Sequence, residues 1–457
     1  MELKPKKEIV DIWIIDPFNE LINNSKASGI VLFASAFIAL VIANSPLAEA
    51  YHHFWENKFS IGFNGNYINK TLHHWINDGL MALFFFVVGL ELKRELVAGE
   101  LRSPRNAALP ITAAVGGMIV PALIYLIINS GNPAATEGWG VPMATDIAFA
   151  LGILYLLGDK VPSSLKIFLT AIAIVDDLGA VLVIAFFYTS EIVYESLAIA
   201  GVVLLVMIAG NRIGIRNTVF YGVLGVGGLW LEFLLSGVHA TIAAVLAAFT
   251  IPATTNIQEK LFLGKSKKLM DKFEAIEMSE NDMVSYEQYK ILSKMRDISK
   301  RAIPPLQRLE HGLHPIVSFV VMPIFALSNA GITLSGNILD SLVSTITLGV
   351  IAGLIVGKFL GVVGVSYVVI KLKLMQLPKG MSMKQLVGVG FLTAIGFTMS
   401  LFISELAFKD IELRNQAKFG VLIASILASI IGFVVLNLSL RKQAMEEAAL
   451  TEVEEVV

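Results

Sequence analysis

Long apolar runs separated by short polar stretches dominate this chain. In windows of about 19 residues, apolar segments recur near 28–46, 72–98, 107–129, 138–157, 163–189, 194–210, 217–231, 236–251, 313–331, 344–370, 384–408 and 416–440. A helix that crosses a hydrocarbon core needs about 20 apolar residues, so the pattern predicts an all-α polytopic membrane protein of about twelve transmembrane helices. Alternation with a period of two occurs in one place, Phe59-Ser60-Ile61-Gly62-Phe63, then Asn64-Gly65, then Asn66-Tyr67-Ile68. An Asn-Gly pair between alternating runs signals a β-hairpin, here near 57–69. A two-stranded ribbon is marginal alone in water, which leads to the expectation that it pairs edge to edge with a second copy and makes a homodimer.

Three stretches do not fit the spanning pattern. Residues 1–27 lack the short apolar run and cleavage site of a signal peptide; Trp13, Ile14, Ile15, Phe18, Leu21 and Ile22 among polar neighbours suggest an interfacial segment on the membrane surface. Residues 254–308 are rich in Lys, Glu and Met, with mixed charges at helical spacing around Lys265 to Arg301, and read as a solvated helical insert without assigned chemistry. Residues 442–457 form an acidic tail after a transmembrane domain of 28–441.

The charges between the runs orient them. Lys93, Arg94, Arg102 and Arg105, then Lys160 and Lys166, then Arg212 and Arg216, then Lys371, Lys373, Lys379 and Lys384 fall in alternate loops. Loops 129–139, 188–196 and 327–341 carry no Lys or Arg. The positive-inside bias makes the basic loops cytoplasmic and, with an even helix count, both termini as well. Lys409, Arg414 and Lys418 break the rule, because they sit where an external loop is expected.

Composition agrees with the lipid reading. Of 457 residues 55% are hydrophobic and 16% charged, against roughly 25% charged in soluble domains. A net charge of -2 gives no support to a nucleic-acid partner. The absence of cysteine excludes disulfides, thiolate nucleophiles and cysteine metal sites.

The informative residues are charges inside apolar runs, each costing about 2.5–3.5 kcal/mol on insertion scales and marking a functional pathway by default. Asp176 and Asp177 stand at the centre of the fifth run, and Lys358 is the only Lys or Arg deep inside any run. Adjacent helical positions point about 100° apart, so the two acids face different surroundings: one suits a cation pathway and the other a pairing with Lys358. The fourth run is interrupted at Gly138-Trp139-Gly140-Val141-Pro142-Met143-Ala144-Thr145-Asp146 and the eleventh at Thr393-Ala394-Ile395-Gly396-Phe397-Thr398. Pro and Gly disfavour continuous helix there, and broken helices expose dipole ends of about half a charge. Asp146 is expected to neutralise the positive ends and Lys358 the negative ones. Asp78, in Ile76-Asn77-Asp78-Gly79, could cap the second helix or act in transport.

At this point the chain resembles the NhaA-type sodium/proton antiporters nearly end to end. The motifs that carry the resemblance are Asn77-DGLMALFFFVVGLELKREL, Ala144-TDIAFALG, Ala173-IVDDLGA, Gly237-VHAT, Leu309-EHGLHP, Phe325-ALSNAG and Gly396-FTMS. The resemblance implies inverted-topology repeats of helices 3–5 and 10–12 with interrupted helices 4 and 11 crossing at mid-membrane, an architecture for which this family is itself a standard example. It further implies a multi-pass protein of the bacterial inner membrane that is not an enzyme, needs no cofactor, and exchanges Na+ or Li+ for H+. Asp177 looks like the cation ligand and proton carrier, Asp176 its Na+-site neighbour paired with Lys358, and Thr145 with Asp146 a supporting polar pair. Asp78 resembles an acid of the cytoplasmic funnel. Glu91, Arg94 and Glu95, with Glu310, His311 and His314, match positions of pH response at the cytoplasmic mouth, and histidine suits such a role. The long insert departs from the compact family pattern.

A buried carboxyl that holds either a proton or Na+, never both, couples the two flows. The second proton carrier is left open between Asp176 and Lys358. An intramembrane aspartyl protease needs opposed acids, commonly in Gly-x-Gly-Asp, which the sequence lacks. A channel gives flux insensitive to a pH gradient, and a symporter reverses the direction of coupled proton movement.

Overall fold

The computed structural model describes residues 25–63, 66–189, 192–255, 257–276, 283–333 and 342–456. The expected interfacial segment at the N-terminus and the Asn64-Gly65 turn lie outside these residues. The described chain is mostly helical with one small sheet. Eight of its helices are long and apolar enough to cross a membrane, or eleven if each of three bent pairs is one crossing.

In chain order, α1 (Ser25–Ala43) turns by 114° into α2 (Ala48–Glu56). Strands β1 (Lys58–Phe63) and β2 (Asn66–Thr71) pair antiparallel, with Ile61 opposite Ile68. The ribbon is tied to the next helix, α3 (Leu72–Ala98), by the Trp75 indole N–H, which donates to the Phe59 carbonyl at 2.9 Å. Then come α4 (Pro104–Asn129), the bent pair α5 (Pro133–Met143) and α6 (Ile147–Leu156), and α7 (Ser163–Phe187). Helices α8 (Tyr194–Ile213) and α9 (Thr218–Ser236) follow. Gly237, at φ 83°, ends α9 in a left-handed turn that favours glycine.

The next helix, α10 (Ala240–Thr250), is shorter than the apolar run expected to span at 236–251. Its 11 residues rise about 16 Å. The apolar run continues on both sides, but Gly237 and the extended Ile251 before Pro252 stop the helix. Between 254 and 308 the chain forms α11 (Glu259–Glu274) and α12 (Tyr286–Ala302), which pack on each other and bury little else. Next, α13 (Pro305–Asn329) starts eight residues earlier than the apolar window at 313, because its first turns are amphipathic rather than apolar. Finally come α14 (Thr345–Lys371), the bent pair α15 (Met383–Leu392) and α16 (Phe397–Ala407), and the long α17 (Ile411–Val456).

Helices α4 and α14 meet backbone to backbone. A methyl group on Gly361 would lie 2.2 Å from the Gly116 carbonyl oxygen, and one on Gly116 would lie 2.4 Å from that of Gly361. Gly357 similarly faces Pro121, and Gly353 faces Pro142 of α5 as well as the Pro121 carbonyl, so the glycine face of α14 runs along α4 and reaches the first break. Where no hydrophobic effect drives helices together, small residues supply close packing. That contact sets the depth at which α14 delivers Lys358.

Candidate functional site

The two bent pairs cross at their breaks and complete each other. At each break the helix leaves backbone groups without intrahelical partners, and in a buried place those groups must be satisfied. The Asp146 N–H donates to the Ile395 carbonyl at 2.7 Å, and the Ser400 hydroxyl donates to the Val141 carbonyl at 2.7 Å. The Thr145 hydroxyl oxygen is 2.7 Å from the Thr393 carbonyl. Each break thus caps carbonyls of the other.

Asp146 serves the positive ends. Its carboxylate accepts from the Phe149 N–H at 3.0 Å, which caps α6, and from the Thr398 N–H at 3.0 Å and the Thr398 hydroxyl, at the start of α16. One acid therefore faces two helix N-termini, each worth about half a positive charge. Lys358 does not take the complementary place expected for it at the negative ends. Hydroxyls and N–H groups already cap those carbonyls, and Lys358 donates instead to Asp176. It lies between two π-helical turns, Gly353–Gly357 and Phe359–Gly364, local irregularities that are frequent at functional sites.

On α7, Asp176 and Asp177 are both buried but differently provided for. One Asp176 oxygen takes the Lys358 ammonium and lies 2.7 Å from the Thr145 hydroxyl, while its other oxygen has no partner. Neither oxygen of Asp177 has a partner among the described residues, although the residue is only 1% exposed. Asp177 lies within electrostatic reach of Asp176, Asp146, Glu91 and Lys358. If both acids are ionised, Asp176 and Asp177 against Lys358 leave one negative charge uncompensated in the protein interior. Three carboxylate oxygens thus lack a partner among the described residues, and carboxylate oxygens are the hard donors that small cations prefer. Among the described residues no group of three His, Asp or Glu is arranged to hold a resident metal ion.

The expected mouth residues divide. Arg94 pairs with Glu95 at 2.9 Å and with Glu310, and Glu91 lies within electrostatic reach of both acids and of Arg94. Glu91 is thereby within electrostatic reach of both this group and Asp177. His311 and His314 are on the same helix segment as Glu310, with exposed side chains. Asp78 does not join them, which corrects its assignment to the same funnel. It is 13 residues from Glu91 along α3, about 20 Å at 1.5 Å per residue, near the β-ribbon, where it pairs with His74 at 2.8 Å.

A second buried ionic group escaped the sequence reading. Glu405 on α16 pairs with Lys418 and, at 2.8 Å, with Arg414, both on α17, and lies 3.8 Å from the His73 ring. Lys418 also donates to the Asn329 carbonyl at 2.9 Å. This explains the basic residues that break the positive-inside pattern: Arg414 and Lys418 fold inward onto a carboxylate instead of facing water. The available signal was Glu405, an acid near the end of an apolar run, placed 9 and 13 residues before two unexplained cations.

Residues 19–436 match the model of the family described as Na+/H+ antiporter 1. Among curated proteins, the chain is 50% identical over 433 residues to the Na(+)/H(+) antiporter NhaA 2 of Syntrophotalea carbinolica, covering 94% of this chain and 98% of the relative. It is 47% identical over 436 residues to the Na(+)/H(+) antiporter NhaA of Oleidesulfovibrio alaskensis, covering 95% and 96%. To the Na(+)/H(+) antiporter NhaA of Sulfurimonas denitrificans it is 47% identical over 424 residues, covering 92% and 95%. With a family model spanning nearly the whole chain and relatives covered almost in full, this multi-pass membrane protein belongs to the Na+/H+ antiporter 1 family, a family of transporters and not of enzymes.

Proposed function

We propose that this chain is an electrogenic Na+(Li+)/H+ antiporter of the bacterial inner membrane, in which Asp177 holds either a proton or the transported cation. The observation that carries the reading is the pair of partnerless Asp177 oxygens, buried beside an Asp176 that already has Lys358. A bare carboxylate at this depth is costly. Either a proton or Na+ relieves that cost, and each removes the charge that attracts the other. Both loaded forms bring the interior closer to neutrality, and both can cross between the two access states. The bare form carries a full charge and stalls, so the two flows are coupled.

Asp176 assists in two ways: its free oxygen completes the cation's ligand set, and its ion pair gives the second proton a place to act. When Na+ occupies Asp177 and draws on Asp176, the Lys358 proton or an Asp176 proton is displaced as well, giving roughly two protons per Na+ and a transport cycle that responds to membrane potential. Thr145 and Asp146 hold the crossing in register. The similar runs of helices on either side of the two breaks support inverted repeats of helices 3–5 and 10–12 in a twelve-helix scheme. The basic loops support a cytoplasmic location for both termini. Glu91, Arg94, Glu95 and Glu310, with His311 and His314, form the cytoplasmic mouth through which pH acts, and the exposed β-ribbon joins two copies. The result is sodium extrusion and pH homeostasis.

The test is reconstitution in proteoliposomes with simultaneous recording of Na+ and H+ flux. Opposed flows that respond to an imposed membrane potential are expected. Na+ flux without proton counterflow, or with proton co-flow, overturns the reading.

A further inference from the structure

Beyond the ion pairs of Glu405, three side chains at the same end of the molecule close a ring of hydrogen bonds. The Asn329 amide donates to the Asn77 side-chain oxygen at 3.0 Å. The Asn77 amide meets His73 Nδ1 at 3.4 Å, and His73 Nε2 meets the Asn329 side-chain oxygen at 3.1 Å. An amide N–H₂ has no lone pair to offer, so this ring requires Nδ1 to accept and Nε2 to donate: His73 is neutral in it. A proton added at Nδ1 would set two donors against each other. The charged groups facing His73 are Glu405 from α16 and Lys418 and Arg414 from α17.

The ring and the ion pairs together join α3, α13, α16 and α17. Glu405 is seven residues beyond Thr398, about 10 Å outward along α16 from the crossing. Between them Phe402 is fully buried against Phe85 and Phe325, with ring centroids 5.6 and 6.2 Å apart. An apolar plug therefore separates the crossing from the ribbon end, and the Glu405 group pins the helix that carries it.

We propose that Glu405 and His73 are positioning residues for transport: they latch the outer half of the second broken helix over the Phe402 plug, and a proton reaching His73 from the ribbon side releases the latch. The proposal rests on the alternating-access reading above and on the ribbon lying at the end of α3 opposite the Glu91 and Arg94 group, so that it faces outward where that group is the cytoplasmic mouth. An incoming proton then opens the side from which protons are taken up, while the Asp177 centre remains the place where exchange occurs.

The chain has no cysteine, which permits a direct test that does not depend on ion flux. Ser328→Cys places a single thiol beside Asn329, at a buried hydroxyl without a partner. Its reaction with a membrane-impermeant thiol reagent, added from the ribbon side of the full-length protein in proteoliposomes, reports opening. Three results are expected: at least about tenfold faster labelling with Glu405→Gln, return towards the starting rate with Glu405→Asp, and faster labelling as the pH on the ribbon side is lowered and the ring's neutral histidine takes up a proton. His73→Gln should remove that pH dependence. Equal rates in all variants and at all pH values, in protein that unfolds at unchanged temperature, overturn the proposal. If Glu405→Gln does not fold, the Glu405→Asp and His73→Gln measurements decide it, a pH dependence that survives His73→Gln being contrary. Because no transport is measured, failure here leaves the Asp177 reading standing.

Discussion

Two buried ionic groups in this molecule differ in how their charges balance. Around Glu405 one carboxylate meets Lys418, Arg414 and a nearby His73, and both of its oxygens are engaged. Around Asp177 two neighbouring carboxylates have one lysine, bound to Asp176, and three oxygens are left without partners among the described residues. Removing charges from water is repaid only when geometry and hydrogen bonds satisfy them. The first group meets that condition and can hold helices together. The second does not, and an arrangement that leaves a buried acid unsatisfied has little to offer stability. In the proposed function its open valence is where a proton or Na+ fits, and in the proposed latch full engagement at Glu405 marks an element that positions rather than carries.

The largest expected effect exploits this contrast. Asp177→Asn abolishes Na+/H+ exchange in proteoliposomes while the protein unfolds at the same temperature or higher, since an unpartnered buried charge is lost. Glu405→Gln keeps measurable exchange with an altered pH profile. If Glu405→Gln is the silent variant and Asp177→Asn the active one, the contrast is inverted and fails.

Next is Lys358→Met, which leaves Asp176 buried with only the Thr145 hydroxyl. Breaking a buried pair from one side costs about 3–5 kcal/mol, so thermal unfolding should shift well downward. The double variant Lys358→Met with Asp176→Asn should recover most of that loss. No recovery would mean the two side chains do not act as a pair.

Gly361→Ala tests the backbone contact that brings Lys358 to Asp176. A methyl group 2.2 Å from the Gly116 carbonyl forces α4 and α14 apart, an overpacking cost of about 1–3 kcal/mol. Unfolding temperature should fall and Na+ affinity with it; Gly364→Ala, where a methyl group meets nothing within 4 Å, serves as control.

The smallest effect is expected at Asp78. Its partly exposed pair with His74 is worth at most about 1 kcal/mol, so Asp78→Asn should leave the exchange rate within about fivefold. A loss comparable to that of Asp177→Asn would return Asp78 to the transport path.

Much of this was legible in the sequence because membranes impose blunt rules. Apolar length gave most spans, and the cost of charge in lipid singled out Asp146, Asp176, Asp177 and Lys358 with no reference to geometry. Proline and glycine marked both breaks. What the sequence hid were matters of distance. Hydropathy could not tell that α10 holds only 11 residues of helix, because its apolar neighbours fill the window on either side of Gly237. Nor could it tell that Asp78 and Glu91 occupy opposite ends of one helix until their spacing was converted to length. The capping of one break by the other depends on two segments about 250 residues apart, Asp146 to Thr398 and Thr145 to Thr393. That contact takes up the carbonyls expected to face Lys358 and leaves it the other place expected for it, beside Asp176. Arg414 and Lys418 looked anomalous because loop-charge counting assumes that basic residues face water.

The central claim is that proton and cation compete for one carboxyl, and it is tested most directly by adding Na+ to the solubilised protein in weak buffer and recording proton release alongside Na+ affinity. The account predicts that protons leave as Na+ binds, that apparent affinity weakens up to about tenfold for each unit fall in pH per displaced proton, and that Asp177→Asn does neither. Na+ binding of unchanged affinity across that pH range, with no proton released, would contradict it.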